Sequence, residues 1–96
     1  MMEPRPLCPL VLSLLAMQPR RAHEVARALS DVARGTPAEC HPAALATLDR
    51  LRDHGLVRRR PAGAGPLYQL TRRGRAELRL QRLLWARVAG AGAGPS

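Results

Sequence analysis

The apolar residues of this chain change their period twice, and those two changes constrain its fold more than any other feature. Up to Gly55 the apolar positions recur every three or four residues, the period of a helix. Between Leu56 and Leu70 they fall into two short runs around Pro61-Ala62-Gly63-Ala64-Gly65, the pattern of two strands about a turn. From Arg72 the helical period returns. A chain of 96 residues has room for one such series around one small core, which excludes a large multi-domain enzyme or a polytopic membrane protein.

Element by element, Leu7, Leu10, Val11, Leu14 and Leu15 predict a first helix from Pro6 or Leu7 to Met17, with Pro9 in its first turn and Gln18-Pro19 at its end. Ala22, Val25, Ala26 and Leu29 predict a second from Ala22 to Ala33, closed by Gly35-Thr36-Pro37. A third is expected from His41-Pro42 to His54, with Pro42 at its first helical position, Ala44, Leu45, Leu48 and Leu51 repeating at helical spacing and Gly55 as its stop. Leu56 to Arg60 and Pro66 to Leu70 read as a hairpin with Val57, Tyr68 and Leu70 facing inward. Thr71 caps a fourth helix from Arg72 to about Val88, on which Ala76, Leu80, Leu83, Leu84 and Val88 make one stripe that Leu78 and Trp85 widen. The fold class is therefore mainly α with a small β-hairpin, divided into 6–71, a C-terminal helix at 72–88 and a flexible tail at 89–96.

Charge gives this plan a partner. The chain has 16 basic residues against 7 acidic, a formal charge of +9, and every basic residue is arginine. Lysine, phenylalanine, isoleucine and asparagine are all missing, which points to a high-G+C, bacterial genome. Codon preference explains arginine in place of lysine but leaves the net charge untouched, so a polyanion, nucleic acid first, is the expected partner.

Three helices, a two-stranded hairpin with a basic first strand, and a leucine-rich helix follow the plan of a winged helix-turn-helix protein. In that plan helix three enters the major groove and the hairpin, or wing, reaches the sugar-phosphate backbone. The residues assigned to a double-stranded DNA face are Arg20 and Arg21 before helix two; His41, Ala43, Leu45, Arg50 and Arg52 on helix three; and Arg58, Arg59 and Arg60 on the wing. Leu80, Leu84, Trp85 and Val88 are assigned to a homodimer interface, because the apolar stripe is wider than one small core needs.

A family resemblance follows from Leu12-Ser13-Leu14-Leu15-Ala16, Pro19, Glu24-Val25-Ala26, Leu48-Asp49-Arg50-Leu51 running into Gly55-Leu56-Val57, and Tyr68-Gln69-Leu70-Thr71 with Gly74. In their order and spacing these resemble the PadR-like family of bacterial transcriptional regulators, over about residues 10–88. The resemblance implies a dimeric repressor on a palindromic operator, joined through its C-terminal helix and in many members released by a small aromatic or drug-like effector. Two Trp85 rings lining a pocket for a planar ligand would suit such an effector. The chain departs from the family at Arg21-Ala22-His23, where His-Gly-Tyr is usual, and at Pro42-Ala43-Ala44-Leu45-Ala46, where Gly-Thr-Leu-Tyr-Pro is usual. Ala43 and Leu45 offer none of the hydrogen bonds of the Thr and Tyr they replace.

Other chemistries find little footing. Cys8 and Cys40 are too few for a disulfide framework and are expected as reduced thiols of a cytoplasmic protein. The apolar run at Leu7 to Met17 is interrupted by Pro9 and lacks a clear cleavage motif, so it is not read as a secretory signal, and no run approaches the ~20 apolar residues of a membrane span. His23, His41 and His54 show no metal-ligand spacing with the cysteines, and no nucleophile-base pair or phosphate loop is visible; no enzyme activity, metal or cofactor is expected. The rival readings are a winged-helix protein-interaction module and a non-specific basic protein binding nucleic acid or a membrane surface.

Overall fold

A computed structural model describes residues 4–93. The order is α1 (Pro4–Met17), α2 (Ala22–Ala33), α3 (Pro37–Asp53), β1 (Val57–Ala62), β2 (Gly65–Leu70) and α4 (Arg72–Ala93), a mainly helical chain with one two-stranded antiparallel sheet. The core lies where α1, α2 and α3 meet the inner face of the hairpin, and Val57, Tyr68 and Leu70 all reach it. Leu12, outside the expected stripe, is fully buried beside Val11 and Leu15 because α1 packs against α3, α4 and β2 on different sides.

Two helix starts differ from the sequence reading. The first helix begins at Pro4, which places Pro9 at its sixth residue and not in its first turn. The third begins at Pro37, four residues before His41. Thr36 is its cap, with its hydroxyl accepting the Glu39 N–H at 3.1 Å, and Pro37 takes the first position, where its missing N–H costs nothing. Pro42 consequently lies inside the helix and leaves the exposed Ala38 carbonyl without its usual donor. Cys40 lies on this helix too, buried in the core, and its thiol is free.

The far end of α3 follows the expected glycine stop. Gly55 takes φ +75°, its N–H donates to Arg52 O, and the Leu56 N–H donates to Leu51 O. That pair of bonds satisfies the last carbonyls and turns the chain into β1. The strands run longer than expected, pairing out to Ala62 and Gly65, so the turn shrinks to Gly63-Ala64 with Gly63 at φ +59°.

Thr71 fixes the start of α4. Its hydroxyl accepts the Gly74 N–H at 3.0 Å and donates to Gly55 O at 2.7 Å, tying the helix to the corner after α3. Gly74 and Leu78 face the core, whereas Ala76, Leu80, Leu83, Leu84 and Val88, the expected apolar stripe, are exposed. The helix also runs past Val88 to Ala93, so 89–93 of the expected flexible tail are helical; 94–96 lie outside the described residues.

A β-carbon at Gly74 would sit 2.0 Å from the Leu56 carbonyl oxygen, which is backbone and cannot rotate away. Gly74→Ala gains about 1 kcal/mol of helix propensity but must push α4 off the α3–β1 corner, an overpacking cost of about 1–3 kcal/mol. Urea unfolding should therefore show a net loss of stability; a variant as stable as the parent would mean that α4 does not pack this closely.

Candidate nucleic-acid interface

The segment between α1 and α2 sets the position of the hairpin. The Arg20 N–H donates to Tyr68 O at 2.9 Å and the Tyr68 N–H donates to Arg20 O at 2.8 Å, so β2 is bonded along both edges. Next along the chain, the Arg21 guanidinium donates from Nη1 to Ala62 O at 2.8 Å and to Gly65 O at 2.6 Å. One side chain thus clasps both strands beside the turn. The Arg21 N–H in turn donates to Glu24 Oε1 at 2.7 Å, which orders the first turn of α2. Of the two arginines assigned to DNA here, Arg21 is committed to the hairpin, while Arg20 is partly buried with its Nε unpartnered.

Strand register divides the three hairpin arginines between two faces. Arg58 pairs with Gln69 and Arg60 with Leu67, on the face turned away from the core. Arg59 pairs with Tyr68 on the other face, where it borders a shallow cleft with Pro61 and Pro66. All three are exposed. Arg58 and Arg60 stand about 7 Å apart along the strand. Each can swing to a different phosphate of one nucleic-acid strand, whose phosphates advance about 3.4 Å along the axis.

Helix α3 presents a different surface. Its exposed stripe is Glu39, Pro42, Ala46, Asp49 and Asp53, at i, i+3, i+7, i+10 and i+14. Arg50 and Arg52 are exposed beside that stripe, but the helix as a whole carries three carboxylates against those two arginines. His41, Ala43 and Leu45 are half-buried, and the Ala43 carbonyl accepts the Thr47 hydroxyl at 2.8 Å. They sit in the middle of a 17-residue helix and do not open it.

On α4, Leu84 is 53% and Trp85 67% exposed, and with Val88 they line an apolar hollow of about 160 Å³. The residues assigned to an interface therefore form one uncovered face. The sequence reading did not single out Arg79 and Arg82, which continue the arginines of the α4 start along one side; their three- and four-residue spacing was the available signal.

The chain matches no family model, no curated protein and no solved structure. Among the described residues, no helix is long and apolar enough to cross a membrane and no group of His, Cys, Asp and Glu comes together to hold a metal.

Replacing Arg21 by Leu removes both bonds to the tip carbonyls. Hydrogen bonds from a charged donor are worth about 1.5–3 kcal/mol, so stability should fall by about that much. Amide exchange at Ala62 and Gly65 should quicken more than in α1. Unchanged exchange at the tip would remove Arg21 from the hairpin's support.

Proposed function

We propose that this chain is a DNA-binding transcriptional regulator built as a winged helix-turn-helix, with the β1–β2 hairpin as its wing. Within that class the reading is of a PadR-like repressor, cytoplasmic and homodimeric, in which α4 joins two protomers on a palindromic operator. The observation that carries it is the wing: Arg58 and Arg60 project together from its outer face while Val57, Tyr68 and Leu70 anchor the inner one. The bond between Arg20 and Tyr68 adds support, because it sets the wing beside the α2–α3 pair as a third strand would. The uncovered Leu80, Leu84, Trp85 and Val88 face supports the dimer, since large apolar side chains left this exposed along one helix face gain most from a second copy.

Affinity in this reading comes from phosphate contacts by the wing arginines. The half-buried Ala43 and Leu45 leave α3 few groups with which to read bases. One observation favours a second reading, a winged-helix module that binds another protein: the outward stripe of α3 is acidic and small-residued, which suits a basic partner better than a phosphate backbone. Competition separates the two, because specific operator binding survives excess random duplex.

Arg58→Ala with Arg60→Ala should reduce the slope of log K against log salt by up to about 1.8, or 0.9 per phosphate contact, on any duplex. Arg59→Ala should change it less. A double variant with the parent slope would take the wing out of the interface.

Leu84→Asp should yield monomers by light scattering while the circular dichroism of the domain persists. A dimer that survives this change would place the protomer contact elsewhere than α4.

A further inference from the structure

Helix α4 is the most cationic element of the chain, with six arginines against one carboxylate, Glu77. Arg72, Arg75, Arg79 and Arg82 recur at i, i+3, i+7 and i+10, and all four are exposed. At 1.5 Å per residue they form a single ridge about 15 Å long, with Glu77 on the opposite side of the helix. Three of them, Arg75, Arg79 and Arg82, border a cleft of about 270 Å³ whose remaining walls are Ala16, Leu70 and Leu78, with no carboxylate in the lining. The cleft along α2 differs, because there Arg20 and Arg27 share the walls with Glu24 and Asp31.

This arrangement opposes the helix's own stability. The first turn of α4 has no acidic residue and three arginines stand at its start, where the positive end of the helix dipole disfavours them. Along the ridge, like charges three and four residues apart repel. Codon preference accounts for the residue type but not for its placement on one side.

We propose that the α4 ridge is a second seat for the phosphate backbone of duplex DNA, separate from the wing. The proposal rests on the DNA-binding reading above and adds a contact to it. Duplex DNA carries one charge per 1.7 Å of axis, so a ridge of this length runs past enough phosphates to engage several guanidiniums at once. The cleft beside the ridge is walled by Leu70, on the hairpin face that holds Val57 and Tyr68, whereas Arg58 and Arg60 project from the opposite face, and Arg60 stands three residue pairs further out, about 10 Å along the strands. Wing and ridge are therefore distinct contacts. An anionic membrane fits less well, because Leu84 and Val88, which would have to insert, lie nearly opposite the ridge around the helix, and a bilayer holding them would turn the arginines to water.

The test measures affinity of the full chain for a random-sequence duplex across a salt series, for the parent, R75Q/R79Q/R82Q, R75K/R79K/R82K and R58A/R60A. Glutamine keeps helix propensity, so the first variant should melt no lower than the parent. Its salt slope should fall by about 1.8–2.7, two or three lost contacts, while the lysine variant keeps the parent slope and R58A/R60A retains the ridge's share. A parent-like slope in R75Q/R79Q/R82Q, with the parent binding duplex, overturns the ridge and leaves the wing reading standing. A parent that binds no duplex at about 50 mM salt overturns the DNA reading itself. Phosphatidylserine vesicles that co-sediment with the parent but not with R75Q/R79Q/R82Q, alongside an unchanged duplex slope, overturn the proposal in favour of a membrane.

Discussion

The paired backbone bonds between Arg20 and Tyr68 are the constraint on which the rest of the structure depends. A lone two-stranded hairpin is marginal in water, because it has too little surface to bury and two open edges. Here one edge of β2 is occupied by β1 and the other by Arg20, and the Tyr68 side chain between them is buried in the core. Arg21 then ties the tip to the start of α2. The direction in which Arg58 and Arg60 point follows from these bonds.

The +9 charge is unevenly placed. On α3 the carboxylates outnumber the arginines, on the outer hairpin face there are arginines without carboxylates, and α4 carries six arginines with one glutamate. Under the DNA reading, such a distribution supplies affinity for a backbone more readily than discrimination among bases, because phosphate contacts position a protein and base contacts specify a site. Ala43 and Leu45, whose side chains can make no hydrogen bond, act in the same direction.

Periodicity made the element order legible, and it placed α2, the Gly55 stop, the Thr71 cap and the inward Val57, Tyr68 and Leu70 where the structure has them. The start of α3 was obscured by two prolines that each fit a first helical position. Pro42 fits that position by its residue type alone, whereas Thr36-Pro37-Ala38-Glu39 carries the stronger signal: a capping threonine, a proline at the first position and a glutamate three residues after the cap. On α4, helical spacing could not separate inward from outward residues, because Leu78 and Leu84 are both apolar and only the close approach of Gly74 to Leu56 fixes which side touches the core. Arg21 was legible as a charge but not as a clasp, since its acceptors are backbone carbonyls 41 and 44 residues away that no side-chain pattern reveals. The split of Arg58 and Arg60 from Arg59 follows from strand alternation.

The central claim, that the outer face of the wing meets the backbone of duplex DNA, is tested most directly by following the backbone amide resonances of the full chain as a short duplex is added. The account predicts that the largest changes fall on Arg58 to Ala62 and on Gly65 to Leu67, and that they collapse as salt is raised. Changes confined to the acidic stripe of α3, or none at low salt, would contradict it.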